Sequence, residues 1–517
     1  MEYIIKYTGN IRALGYPVEL LDAQFAIMDL EREQAAGLLE FQQVTCFEPA
    51  RRLSQLADQS MEAACIPPVQ RDAGLGLTGA GVLIGFVDSG LDLDHPEFLG
   101  EDGTSRVVAL WDMTAEGTPP PGFLHGAVYS GEEIAARLVT VAGSGHGTAV
   151  AAIAAGRSGV APGASIAAVK LASAQTTDIM RAVKFLLDQA EERGMPCVVN
   201  LSYGTNFGSH RGQSLFESYI DQSAQRGRSV VVCAAGNEGS GAHHFRGQLV
   251  EGGNVDAEFT ISTRRERVYL SLWKNFADEA VFDLTLPNGQ STGPLTEGSR
   301  SLRFGPVSVS VFYGVPTHYS AVQEAIFLLD APAGQLDGLW RLRCQGRQVA
   351  DGRFDIWLPT VEEVGERTAF LQPTPDLTIT LPATALYPIS VGGFHPGTGT
   401  LSAFSGRGEE DCAGRVLLDL AAPAEGVRSA KAGGGYDVFA GTSMAAPFVS
   451  GAAALMMEWG IVQGNDLFLY GQRVKAFLCK GALRSSFLSY PNPQWGYGRL
   501  NLCGTMNELV SHLERGI

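Results

Sequence analysis

Gly81-Val82-Leu83-Ile84-Gly85-Phe86-Val87 is the stretch that most narrows the fold of this chain. A continuous apolar run without polar alternation fits a strand covered on both faces, the condition of a central strand in a parallel sheet. It runs into Asp88-Ser89-Gly90, which sets a carboxylate at the C-terminal end of the strand. Open α/β sheets form their sites outside those ends. Comparable units follow: strand patterns at 165–171, 197–201 and 229–234, with helical patterns at 178–193 and 213–226 between them. The alternation predicts an α/β fold with a doubly wound parallel sheet.

Two other patterns flank and interrupt it. Residues 1–55 read as a small α+β unit, with strands near 3–7, 24–30 and 44–48 around a helical stretch at 31–41. A unit of that size buries little surface. Residues 51–75 read as an extended, polar linker around Pro67-Pro68. From 246 to 380 the helical period gives way to short alternating runs such as Val268-Tyr269-Leu270-Ser271-Leu272, separated by turn residues such as Pro287-Asn288-Gly289. This predicts an all-β insertion, a sandwich or jelly roll. The expected division is 1–55, a first α/β part at 56–245, the insertion at 246–380 and a second α/β part at 381–517.

The net charge of −17 argues against nucleic acid or an anionic membrane as partner. The eight cysteines are scattered without a CxxC or a Cys/His cluster, so neither a zinc site nor a disulfide framework is expected, and a reducing compartment fits. The first residues lack the basic leader and apolar segment of a secretory signal. No apolar run reaches the ~18–20 residues that span a bilayer. Asp88, Asp92 and Asp94 lack the EF-hand pattern, so Asp92 and Asp94 read as solvated loop residues, and His243-His244 reads as a loop pair. No cofactor or metal is expected.

The chemistry gathers around Gly441-Thr442-Ser443-Met444-Ala445-Ala446-Pro447, which leads into an apolar, small-residue helical run. Taken alone, the stretch fits a buried helix with a capping serine as well as it fits a nucleophile held at a helix N-terminus. A serine hydroxyl is a poor nucleophile near pH 7 unless a histidine takes its proton and a buried carboxylate orients that histidine. His146, in Gly145-His146-Gly147-Thr148, opens a second small-residue helix, and Asp88 ends the buried strand. Val230-Val231-Val232-Cys233-Ala234-Ala235-Gly236-Asn237 adds a side-chain amide at another strand end. Asn237 and the Ser443 backbone N–H are candidate donors to an oxyanion. Singly, each residue reads equally as a cap or turn former.

These blocks resemble the signature motifs of the subtilisin-like serine proteases: Val87-Asp88-Ser89-Gly90 with His95-Pro96, Gly145-His146-Gly147-Thr148, Ala235-Gly236-Asn237-Glu238-Gly239 and Gly441–Pro447. The resemblance covers about 80–245 and 380–503. It implies Ser443 as nucleophile, His146 as general base and acid, Asp88 as its orienter and Asn237 as oxyanion donor. It also implies that Ser202, Tyr203, Gly204, Ala234, Ala235 and Gly236 line a cleft that binds a protein or peptide substrate, with Tyr203 shaping specificity. Ala149 stands where many relatives repeat a histidine, a position outside the triad.

The short N-terminal unit and the β insertion resemble the architecture of the clostridial Csp germination proteases. That likeness implies that residues 1–55 are a prodomain that assists folding, is cut by the enzyme itself and can stay bound in the cleft. The stretch Glu48–Gln55 reads as extended enough to reach the active site, which places the cut between Gln55 and Leu56. The likeness also implies activation of a spore-cortex lytic enzyme precursor and a spore-associated location, whereas the missing signal by itself fits a cytoplasmic one. Two alternatives remain at this point: a prodomain-inhibited or pseudoprotease-like regulatory protein, and an esterase or acyltransferase using the same triad.

Overall fold

The structure, a computed structural model, describes residues 2–49, 59–137, 139, 145–317, 320–410 and 415–514. The expected cut between Gln55 and Leu56 lies outside the described residues. The chain forms two compact units, Met1–Ala57 and Asp58–Ile517.

In the first unit, strands Glu19–Leu20, Phe25–Asp29, Glu2–Tyr7 and Val44–Pro49 form one antiparallel sheet in that order. The predicted helix at 31–41 is shorter than its pattern. It consists of Arg32–Ala36 and a 3₁₀ turn, Leu38–Glu40, because Gly37 interrupts it. Glu31 and Gln34 close its N-terminus as a capping box. Ile5, Ala26, Met28 and Leu38 make the core of this unit.

The second unit is built on an eight-stranded sheet. Its order is Leu420–Pro423, Ile389–Phe394, Ser229–Ala234, Cys197–Leu201, Leu83–Asp88, Ser165–Lys170, Val107–Asp112 and Ala127–Ser130. All neighbours are parallel except the last pair. Strand alternation sorts the central apolar run between two cores. Ile84 and Phe86 face helices Gly145–Ala155 and Thr442–Met457, whereas Leu83 and Val87 face helices Thr176–Glu192 and Leu215–Ala224. Every residue of Leu83–Asp88 is buried, as its composition requires.

The described residues of the insertion form β-strands in two sheets, with one short helix, Val361–Val364, near its end. A six-stranded sheet runs from His244–Gln248 through Arg353–Trp357, Arg267–Asn275, Val322–Asp330 and Val307–Tyr313 to Gly298–Phe304. A second sheet orders Glu279–Thr285, Gly338–Gln348, Asn254–Ile261 and Ala369–Phe370. The two share one core, in which Phe282 of one sheet meets Phe327 of the other edge to face at 6.1 Å. Leu377 and Ile379, at the end of the predicted insertion range, pack instead into the core of the parallel sheet.

Three expectations are corrected. The predicted linker holds two short helices, Ser60–Ala63 and Pro67–Arg71, with Ala64, Ile66 and Val69 buried. Pro67 starts the second of them, where its missing N–H costs nothing. Cys65 and Cys503 are disulfide-bonded across a sequence separation of 438, a proximity that scattered cysteines do not reveal. One helix, Thr442–Val462, is long and apolar enough to cross a membrane, but 94% of its most apolar window is buried inside the protein. Its hydrophobicity serves the core.

Candidate active site

Asp88, the last residue of its strand, is 2% exposed. Its Oδ1 accepts from Ser89 N at 2.7 Å and from Ser89 Oγ at 2.9 Å. His146 Nδ1 lies 3.0 Å from both carboxylate oxygens. An ionised carboxylate only accepts, so Nδ1 carries the proton and Nε2 is left as the basic nitrogen. The approach depends on Gly147, where a Cβ would stand 2.1 Å from Gly90 O and 2.9 Å from Asp88 Oδ1. Burial opposes protonation of His146. The hydrogen bond to Asp88, the charge of Asp88 and that of Glu362 outweigh it and raise the imidazole pKa above its ordinary value.

Ser443 stands in the first turn of Thr442–Met457. The preceding Gly441 has φ +135°, and a Cβ there would lie 3.1 Å from Ser443 Oγ. Pro447 sits inside the helix, beyond the turn whose N–H groups are free anyway. It withholds the N–H that would bond the Ser443 carbonyl. Ser202 Oγ donates to that carbonyl instead, at 3.2 Å. Asn200 Nδ2 donates to Ser202 Oγ at 2.9 Å, and Ser450 Oγ donates to Asn200 Oδ1 at 2.8 Å. A buried polar chain thus ties the serine helix to the segment that forms one cleft wall.

Asn237 follows the strand Ser229–Ala234. Its Oδ1 accepts from Thr442 N at 2.9 Å and from Thr442 Oγ1 at 3.1 Å. Two donors on one side fix the carboxamide, so its NH₂ is turned away from Thr442. Nδ2 donates to Glu362 Oε1 at 2.8 Å.

These side chains meet at one cavity of about 310 Å³, lined by His146, Ser443 and Asn237. Of the predicted wall residues, Ser202, Tyr203, Gly204, Ala234 and Gly236 line it. Tyr203 also sets its ring edge to face with His146 at 6.3 Å. Gly204 and Gly236 are small because Thr380 packs against both. A Cβ would come within 2.2 Å and 2.5 Å of its side chain, respectively. Ala235 is the exception and a correction: it is fully buried, its N–H donates to Val391 O and its carbonyl accepts from Thr380 N, both at 2.9 Å. With both backbone groups used inside the sheet, it has none to offer a peptide.

Sequence reasoning missed the opposite wall. Thr360, Glu362 and Glu363 come from the short helix Val361–Val364 as the insertion returns to the sheet. Glu238, beside Asn237, holds that helix: its Oε1 accepts from Val361 N at 2.9 Å. Its Oε2 accepts from Asn206 Nδ2 at 3.1 Å and faces His243 Nδ1 at 2.6 Å. His243 and His244 are therefore buried, not an exposed loop pair, and His244 stacks on Trp357 at 4.8 Å. The only available signal was Glu238 itself, a carboxylate in an otherwise apolar and glycine-rich motif. Asp92 is held by the fold as well, its Oδ2 accepting from Gly433 N at 2.8 Å. Among the described residues, no group of three or more His, Cys, Asp and Glu side chains is arranged to hold a metal ion.

Residues 79–259 and 365–498 match the subtilase family, and the gap between them falls on the β insertion. The chain is 30% identical to thermitase of Thermoactinomyces vulgaris over 174 residues, 32% of this chain and 51% of thermitase. It is 31% identical to subtilisin E of Bacillus subtilis over 169 residues, 32% of this chain and 36% of subtilisin E. The chain thus spans about half or less of these curated relatives. Among solved structures, the CspB protease of Clostridium perfringens is similar at a TM-score of 0.81 and 37% identity, over 88% of this chain and 98% of that one.

Proposed function

Since the chain belongs to the subtilase family, we propose that it is a serine endopeptidase acting through an acyl-enzyme on Ser443. The observation that carries this reading is the Asp88–His146 pair at 3.0 Å, with His146 lining the same cavity as Ser443 and Asn237. His146 Nε2 takes the Ser443 hydroxyl proton as Oγ adds to the substrate carbonyl carbon. The negative charge that develops on the carbonyl oxygen is received by Asn237 Nδ2 and the Ser443 N–H. Collapse breaks the C–N bond, and His146 returns the proton to the leaving amine. A water repeats the sequence and frees the serine. Ser202–Gly204, Ala234 and Gly236 bind the peptide.

Finer points belong to the same proposal. The N-terminal unit is a prodomain cut by the enzyme, at the 55–56 bond, and the protein substrate is the precursor of a spore-cortex lytic enzyme. Both points come from the resemblance to the Csp germination proteases, and the likeness to the CspB protease of Clostridium perfringens agrees with that resemblance. A second reading, a regulatory protein with a closed cleft, is favoured by one observation: the Asn237 amide is already bonded to Glu362.

A fluorophosphonate that reacts with activated serines tests the proposal. Labelling and peptide cleavage that vanish in Ser443→Ala support the protease. Neither in the purified wild-type chain favours the regulatory reading. Mass spectrometry tests self-processing: the chain is expected cut in wild type and intact in Ser443→Ala, and a cut that persists in the variant overturns it.

A further inference from the structure

The cavity wall supplied by the insertion is acidic. Glu362 and Glu363 both line it, and among the described residues no lysine or arginine does. The two carboxylates are not equivalent. The Glu363 carbonyl accepts from Arg265 Nε at 2.9 Å, which brings a cation beside that residue. Glu362 meets Asn237, the donor that the reaction needs for the substrate oxygen. Its side chain is exposed, while the backbone next to it is pinned by the Glu238–Val361 hydrogen bond. The helix is thus held in place, and the Glu362 carboxylate is free to turn about its own χ angles.

We propose that Glu362 is a specificity-determining residue, favouring a substrate residue beside the scissile bond whose side chain donates N–H, cationic or amide, and disfavouring an acidic one. The inference rests on the protease reading. Asn237 Nδ2 serves an oxyanion only after Glu362 gives it up. A substrate lying in the cavity displaces the water that would otherwise solvate the Glu362 carboxylate, so a donor on the substrate beside it is favoured over a group that has none. A lysine, arginine or glutamine side chain of the substrate supplies such a donor and releases Asn237. An aspartate or glutamate supplies no hydrogen, and its charge repels both carboxylates of the wall. Substrate selection and release of the oxyanion donor are then one event.

The test is digestion of a peptide library by wild type, Glu362→Ala and Glu362→Lys, with the cleavage sites read by mass spectrometry and the same preparations labelled with a fluorophosphonate. Wild type is expected to favour N–H-donating over acidic residues at one position flanking the cut by about tenfold or more, the scale of a charge-assisted contact. Glu362→Ala loses that preference and Glu362→Lys shifts it toward acidic residues. Labelled enzyme with one cleavage profile in all three proteins overturns the specificity role and leaves the protease reading standing. Wild type that neither labels nor cleaves overturns both.

Discussion

The Asn237 carboxamide oxygen accepts the Thr442 backbone N–H at 2.9 Å, joining the end of a central strand to the first residue of the serine helix. The bond sets which face of the amide looks into the cavity. It makes the orientation of the oxyanion donor a property of the helix start, and so of the same turn that presents Ser443.

Asn237→Ala removes that donor. On the protease reading it lowers kcat by on the order of 10²–10³ with a smaller change in KM, because the bond forms to charge that develops in the transition state. Steady-state kinetics on one peptide measure it. Equal turnover by the variant assigns the oxyanion elsewhere.

His146 acts as a base only when neutral, and its pKa is raised above the ordinary 6.5. Activity is therefore lost as pH falls, and the acid limb of kcat/KM lies above pH 6.5. Glu362 contributes to that rise, so the limb moves to lower pH in Glu362→Gln. The sign for stability is the opposite. A raised pKa means that the protonated ring is favoured in the folded protein, a contribution present below the unfolded value and lost as pH rises through the folded one. A pH–rate profile with its midpoint below 6.5 in wild type contradicts the assignment.

Asn200→Ala cuts the chain from Ser450 to Ser202, removing two side-chain hydrogen bonds at a buried position and leaving Ser450 Oγ with the Ala446 carbonyl and Ser202 Oγ with the Ser443 carbonyl. The expected cost is about 1–3 kcal/mol in denaturant unfolding. Because Ser202 belongs to the cleft wall, KM rises as well.

Asp355 is the buried centre of an ionic network within the insertion's six-stranded sheet that reaches the parallel-sheet body through Arg211, 3.5 Å from Asp355, and through the Arg246–Glu409 pair at 2.8 Å. His244 Nε2 lies 3.0 Å away and Arg246 Nε 2.6 Å. Burial would raise its pKa, yet the hydrogen bond and charge of His244, with Arg246, hold it well below the usual carboxylate value. Its contribution is present above that value and is lost as pH falls through the folded pKa. Asp355→Ala takes the partner of His244 Nε2 away and leaves Arg246 with Glu409 alone, 2.8 Å from its Nη1, and is expected to cost about 1–3 kcal/mol at neutral pH, read by chemical denaturation. A loss below about 1 kcal/mol, the level of an exposed pair, contradicts the network role.

Local pattern carried the frame and most of the site. Cys197–Leu201 and Ser229–Ala234 begin and end where their apolar runs do, because a strand buried on both faces leaves little choice of boundary. Val322–Asp330 was not legible: its burial alternates in the sheet, but its sequence holds the unbroken apolar run Ala325–Leu329, which has no period of two to detect. Its neighbouring runs offered equally good partners, and pairing decides which run becomes a strand. Ser60–Ala63 and Pro67–Arg71 were read as linker because four- and five-residue helices have no period to detect. The role of Pro447 was legible only in part. Its missing N–H is a sequence fact, but Ser202 receiving the freed carbonyl is not.

The amino-acid order by itself determined the residue types and their local stage: a carboxylate, an amide, an imidazole and a hydroxyl, each at the end of an apolar element, with glycines where backbones must close up. Those are consequences of short-range sterics and burial. Only the tertiary structure decided what faces them. Glu362 reaches Asn237 from a helix 125 residues further along the chain. It does so because Glu238 pins that helix and the insertion folds back onto the sheet, a long-range closure that no local pattern encodes.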